Sequence, residues 1–188
     1  ESVAGHDVCA VMMELVQGEG GVLPLDVEYV RSVAKLCAER DWLLFIDEVQ
    51  TGVGRTGSLF AFQQYGIRPD VVSFAKGIAG GLPFGGVMVN EKCSQVITPG
   101  THGTTFGGNP ICCAGALSIL SRIDDNLLKD VTAKSEYILS RLNGAKGVKS
   151  VSGKGFMLGI ETEKPAKEVI ASAMEKGVLV LSAKTKVR

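Results

Sequence analysis

Short unbroken apolar runs alternate along this chain with stretches of helical period. Val8-Cys9-Ala10-Val11-Met12-Met13, Leu43-Leu44-Phe45-Ile46 and Val71-Val72-Ser73-Phe74 are of strand length and nearly free of polar interruption. Such runs suit strands buried on both faces of a parallel sheet. Between the first two, Val27, Val30, Val33, Ala34, Cys37 and Ala38 fall at helical spacing, with Asp26 in the N-cap position. The spacing predicts a helix over residues 24–40 that covers one face of the sheet as the crossover between parallel strands. A short helix is predicted over residues 59–66. Its aromatics, Phe60, Phe62 and Tyr65, have no interleaved basic residues of the kind a nucleic-acid platform needs.

Further along, Gly80-Gly81-Leu82-Pro83 reads as a turn and residues 86–89 as a strand. Asn109-Pro110 supplies an N-cap and first position for a helix over residues 111–123. After Asp124-Asp125-Asn126 the succession changes to a helix over 127–142, strands over 148–151 and 157–161, a helix over 165–176 and a strand over 178–181. Strands alternating with helices point to the α/β class.

Composition narrows the function classes. In 188 residues, 20 basic side chains balance 20 acidic ones, so no overall field favours nucleic acid or an anionic membrane. No apolar run approaches a membrane span. Cys9, Cys37, Cys93, Cys112 and Cys113 form no Cys-x-x-Cys pair, and the only histidines are His6 and His102. Scattered thiols in odd number argue for a reducing compartment and against a disulfide framework or a zinc site. The start at Glu1-Ser2-Val3 has neither initiator Met nor signal features, and the end at Val187-Arg188 falls in a β-like run. Both suggest a piece of something larger.

The chemistry sits at two strand ends. Asp47 closes the run beginning at Leu43, and Lys76 follows the run ending at Phe74, so both are expected at the carboxyl edge of one sheet, where open α/β folds bind ligands. A buried acid and a buried amine are then neighbours. That pairing suits pyridoxal phosphate, for which a lysine forms a Schiff base and a carboxylate keeps the pyridine nitrogen protonated. On spacing alone, a charged residue facing solvent at a strand end is the commoner case.

The wording around both ends is more specific. Asp47-Glu48-Val49-Gln50-Thr51-Gly52-Val53-Gly54-Arg55-Thr56-Gly57 and Ser73-Phe74-Ala75-Lys76-Gly77-Ile78-Ala79-Gly80-Gly81-Leu82-Pro83 resemble the signature of class III aminotransferases of the acetylornithine/ornithine type. These are fold type I pyridoxal-phosphate enzymes. The resemblance covers nearly the whole chain, and the chain covers about half of such an enzyme. It implies a mostly parallel sheet with helices on both faces in residues 1–125, part of the large cofactor domain. Residues 126–188 would then begin a smaller α+β C-terminal domain, and the strand over 86–89 would be antiparallel.

The resemblance also implies roles. Lys76 would carry the Schiff base and act as general base, and Asp47 would hold the ring nitrogen. Val49 would offer a stiff apolar face to the ring, although from spacing it is an ordinary core position, and the Gln50 amide would donate to the phenolic oxygen. Glu19, in what otherwise reads as a plain glycine turn, would pair with the substrate-binding arginine. That arginine corresponds to Arg188, which would grip the α-carboxylate of glutamate or 2-oxoglutarate through its two-pronged geometry; a frayed terminal residue is the alternative. Leu15 replaces the family's usual proline after the first glutamate.

Thr105, in the polar approach to the helix after Asn109, would reach the cofactor phosphate of a neighbouring subunit, which makes a homodimer with shared sites. The wording around His102 is closest to acetylornithine and ornithine aminotransferases. Arg55 reads as a structural ion-pair residue. The expected activity of the parent protein is transfer of the terminal amino group of N2-acetyl-L-ornithine to 2-oxoglutarate, in the cytoplasm, for arginine biosynthesis. Ornithine or 4-aminobutyrate as donor is the alternative within enzymes, and a noncatalytic dimerisation module is the alternative outside them. The 188-residue piece by itself is expected to be inactive.

Overall fold

The computed structural model describes residues 7–188; His6 and the Glu1-Ser2-Val3 start lie outside them. In chain order the elements are strands β1 (Ala10–Glu14), β2 (Val16–Gln17) and β3 (Leu23–Pro24), helix α1 (Val27–Glu39), strand β4 (Leu43–Asp47), helix α2 (Phe62–Tyr65), and strands β5 (Val71–Phe74) and β6 (Gly86–Val89). Then follow helices α3 (Pro110–Leu120) and α4 (Asp125–Leu142), strands β7 (Val148–Lys154) and β8 (Met157–Thr162), helix α5 (Ala166–Glu175), and strands β9 (Ser182–Ala183) and β10 (Lys186–Val187).

The first sheet has the order β1-β4-β5-β6. β1, β4 and β5 are parallel, and β6 pairs antiparallel with β5, as the resemblance implied. Helix α1 opens where the sequence placed it, with Asp26 accepting a hydrogen bond from the Tyr29 N–H at 2.8 Å. Its apolar stripe buries Val30 and Cys37 against Leu44 and Ile46 of β4, together with Leu15, Ala61 and Tyr65. Each large apolar side chain so buried contributes about 1.5–3 kcal/mol. The opposite face carries Met12, Phe45, Asp47, Ser73 and Val87 in register, and Met12 and Val87 on it are exposed.

The second sheet, β7-β8-β10-β9, is antiparallel throughout. Helix α4 packs on β7, and α5 packs on β9 and β10. The strand expected over 178–181 is not formed. Leu179 and Leu181 are exposed, the Val178 N–H is still tied to the Ala173 carbonyl at the end of α5, and only Leu181 at the end of the run exchanges backbone hydrogen bonds with a neighbour, Arg188, before β9 begins at Ser182. The helix expected over 59–66 is reduced to Phe62–Tyr65, since the glycine-rich chain before it is held in turns.

The two sheets meet through the turn between β2 and β3. Val16 and Val22 from that turn pack with Met157 and Ala183 of the second sheet. The Ser152 hydroxyl donates to the Val22 carbonyl at 2.8 Å, and Lys186 Nζ donates to Ser152 at 2.7 Å.

Candidate active site

Strands β4 and β5 form the floor. Asp47 stands opposite Ser73 in register, and its Oδ1 accepts from the Val49 N–H at 2.9 Å and the Ser73 hydroxyl at 3.1 Å. Two donors on one oxygen fix the carboxylate, while Oδ2 takes no hydrogen bond among the described residues. Three residues beyond Ser73, Lys76 begins a 3-10 turn over Lys76–Ala79 with φ at 52°. This left-handed geometry costs a residue with a Cβ roughly 1 kcal/mol and re-aims the side chain away from the strand direction.

The expectation of a buried acid beside a buried amine is corrected here. Asp47 is half-buried and Lys76 exposed, because the strand ends open onto a cavity. The acid that is fully buried is Glu48, which sequence reasoning does not single out. Its position holds the signal: in a strand, the neighbour of a site residue points to the opposite face, here into the apolar core.

The cavity, about 420 Å³, is lined from the first sheet's side by Val49, Gln50, Val53, Arg55 and Lys76. From the second sheet's side it is lined by Phe156, Leu158, Leu181 and Arg188. The apolar half of this lining is not foreseeable from sequence, since nothing in Phe156 or Leu158 marks chemistry. Arg188 is not frayed. Its N–H donates to the Leu181 carbonyl at 2.8 Å, and its carbonyl accepts from the Leu181 N–H at 2.9 Å.

The Arg188 guanidinium pairs with Glu19 at 2.8 Å and donates to Gln50 Oε1 at 3.2 Å. Arginine has no acceptor, so this contact fixes which end of the Gln50 amide faces it. The Gln50 NH2 is left to point elsewhere. Gly18 leaves room for the Gln50 amide, which would have to shift if a Cβ stood there. Arg55, expected in a structural ion pair, is in none of the five ion pairs among the described residues. It stands instead on the cavity wall.

Thr105 is not brought to this cavity. Every residue from 94 to 108 is exposed, and Phe106 is 84% exposed. Asn109 does cap α3, accepting from the N–H groups of Ile111 and Cys112 at 3.0 and 3.3 Å. Among the described residues, no cluster of His, Cys, Asp and Glu could hold a metal. No described helix is long and apolar enough to cross a membrane.

The donor set fits pyridoxal phosphate. An accessible amine, a fixed carboxylate with one oxygen unengaged, a β-branched face and a free amide NH2 stand at or beside one cavity. Known proteins resemble this chain over nearly its whole length. The acetylornithine aminotransferase of Haemophilus ducreyi is 45% identical over 188 residues, covering 99% of this chain and 48% of that protein. The N-acetylornithine aminotransferase structure from Stenotrophomonas maltophilia matches at 35% identity and a TM-score of 0.85, covering 96% of this chain and 50% of that one. The ornithine delta-aminotransferase structure of Plasmodium falciparum matches at 35% identity and a TM-score of 0.85, covering 96% and 49%. This chain thus spans about half the length of these relatives. The family model described as aminotransferase class-III matches residues 1–188, and the chain belongs to that family.

Proposed function

We propose that the protein containing this chain is a pyridoxal-phosphate-dependent aminotransferase that moves the terminal amino group of N2-acetyl-L-ornithine to 2-oxoglutarate. The observation that carries the reading is one cavity holding Lys76, Gln50 and Arg188, with Arg188 paired to Glu19. The curated relatives named acetylornithine aminotransferase support the donor, at 45% and 46% identity for two of them. Ornithine is the second reading, supported by the ornithine aminotransferase structures this chain resembles.

In this reading Lys76, Asp47, Val49 and Gln50 hold the cofactor. When bound, pyridoxal phosphate supplies a protonated ring that withdraws electrons from the carbon bearing the amino group. Asp47 would hold the ring nitrogen through its unengaged Oδ2, while Ser73 and the Val49 amide keep Oδ1 in place. Gln50 would serve two partners: its oxygen accepts from Arg188, and its NH2 would donate to the phenolic oxygen of the cofactor. Val49 gives the ring an apolar surface. Lys76 Nζ, once deprotonated, takes the proton from the carbon that carries the amino group, a task arginine cannot perform.

Arg188 grips the α-carboxylate of glutamate or 2-oxoglutarate. Glu19 neutralises it when a donor without a matching carboxylate is bound, so one site accepts two kinds of substrate in alternation. The Glu19 side chain is 72% exposed, so it can swing away with little desolvation change. Residues 1–125 belong to the large cofactor domain and 126–188 to the smaller C-terminal domain. Thr105 completes the phosphate site of a second subunit in a homodimer. The setting is cytoplasmic arginine biosynthesis.

The test uses the full-length protein. Wild type should develop a visible absorbance band with pyridoxal phosphate and turn over N2-acetyl-L-ornithine faster than ornithine or 4-aminobutyrate. Lys76→Ala should lose the band and at least about 10³-fold in turnover. Absence of the band in both proteins would leave the noncatalytic dimerisation module as the better account.

A further inference from the structure

Glu48 has 0% exposure and no cation beside it among the described ion pairs. Burying a carboxylate costs several kcal/mol unless its oxygens are satisfied, and an apolar residue of similar size avoids that cost. A fold that keeps an acid here gains something an apolar side chain lacks: the ability to hold two donors at once.

Both oxygens are engaged, and by opposite ends of one loop. Oε1 accepts from the Phe62 N–H at 2.8 Å, and Oε2 accepts from the Thr51 hydroxyl. The Glu48 carbonyl accepts from the Gly52 N–H at 2.9 Å. Burial is the largest influence on this carboxyl and pushes its pKa up; the Thr51 hydroxyl and the amides of Ala61 and Phe62 draw it back. The clamped loop supplies Gly52, Val53 and Arg55 to the cavity wall, and Val49 and Gln50, also on that wall, lie in the chain between Glu48 and its partner Thr51. From helix α2, Gln64 Nε2 donates to the Thr56 carbonyl at 2.9 Å and to Ser58 at 2.8 Å. From outside, the Phe156 N–H donates to the Arg55 carbonyl at 2.9 Å.

We infer that Glu48 is a positioning residue, whose carboxylate ties together the two ends of the loop from Thr51 to Phe62 and thereby fixes Val49 and Gln50 for the cofactor. Asp47 and Glu48 divide the work: Asp47 is half-buried and bonded to Ser73 and the Val49 amide, while Glu48 is fully buried and anchors the wall. The cofactor part of this inference rests on the function proposed above; the clamp itself does not.

Amide hydrogen exchange on the cofactor-free full-length protein tests the clamp. In Glu48→Gln the Gln NH2 replaces an acceptor, and the amides of residues 51–62 should exchange at least about tenfold faster. Those of α1 should change by less than about twofold, as expected of a local opening. The dissociation constant for pyridoxal phosphate, from absorbance titration, should rise about tenfold. Unchanged exchange over 51–62, or equal acceleration in α1, would overturn the clamp and make Glu48 an ordinary core residue. Thr51 provides a second handle should Glu48→Gln not fold: Thr51→Val should loosen the same segment, and Thr51→Ser should restore it. If both Thr51 variants exchange alike, the inference fails. A wild type that takes up no pyridoxal phosphate would overturn the function it serves, whatever the exchange shows.

Discussion

Two stretches of this chain are proposed to touch the cofactor, and they are built in opposite ways. Residues 48–62 are tied to distant elements: the Glu48 N–H donates to the Ser73 carbonyl, the Arg55 carbonyl accepts from Phe156, and Gln50 accepts from Arg188. Residues 94–108 are exposed throughout, and their hydrogen bonds reach no further than four residues along the chain. The braced stretch has its geometry set by its own chain. The unbraced one, with Thr101, Thr104, Thr105 and Phe106 all exposed, has no such ties among the described residues, and Thr105 is proposed to act on a second subunit on the strength of the family resemblance.

The largest expected effect comes from breaking the brace. Gly155 sits at the tip of the β7–β8 hairpin with φ at 57°, and a Cβ there would strike the Arg55 carbonyl and Thr56. Gly155→Ala should therefore push the hairpin off the loop and destabilise the full-length protein by about 2–4 kcal/mol, measured by denaturant unfolding. A loss under about 0.5 kcal/mol, typical of an uninvolved surface site, would show that the hairpin contact does not brace the wall.

The unbraced stretch should answer differently. Thr105→Val should leave the unfolding free energy of the cofactor-free protein unchanged within about 0.5 kcal/mol. It should weaken pyridoxal phosphate binding about tenfold, the scale of one charge-assisted hydrogen bond. Equal affinity in both proteins would remove Thr105 from the site and with it the argument for shared active sites.

The contrast also explains what is legible in the sequence. Apolar runs reveal strands because burial on both faces demands them, and a charged residue at the end of such a run is visible by its position; β4, β5, Asp47 and Lys76 are found that way. The Asp26 and Asn109 caps are legible because the orphan amides of a helix start select few residue types. Burial of the site residues is not, since whether a strand end is covered depends on elements far along the chain. Glu48 escapes notice for a related reason: its partners, Thr51 and Phe62, are ordinary residues whose roles exist only once the loop closes. The apolar cavity wall from Phe156 to Leu158 carries no chemical mark at all. Arg188 and Glu19 are placed by resemblance, and no local pattern joins two residues so far apart.

A smaller effect tests the layer beneath the wall. The Tyr65 hydroxyl lies 3.0 and 3.1 Å from the carbonyls of Leu15 and Leu25 and shares its one proton between them, pinning both arms of the chain around the Glu19 turn. Tyr65→Phe leaves both carbonyls without that donor and should cost about 1–3 kcal/mol of unfolding free energy. A neutral result would mean that Lys154, whose Nζ lies 5.3 Å from the Tyr65 ring centre, and the surrounding apolar contacts hold the ring unaided.

The smallest expected effect lies in the charge of the brace itself. The Glu48 carboxyl is raised from its ordinary 4.5, by burial first, with the neighbouring Asp47 charge adding to it. The folded state therefore holds this proton more tightly than the unfolded chain. The resulting stabilisation is fully present below pH 4.5 and is lost as the pH rises through the folded value. A tenfold tighter hold on the proton is worth about 1.4 kcal/mol. Glu48→Gln removes the titration and also the clamp, and the two losses separate: the clamp gives a constant offset, the proton a slope. Across thermal unfolding from about pH 4 to about pH 7, the advantage of wild type over Glu48→Gln should shrink steadily. Were it to grow instead, the native fold would prefer the ionised carboxylate outright, and the clamp's two hydrogen bonds would outweigh the burial of its charge.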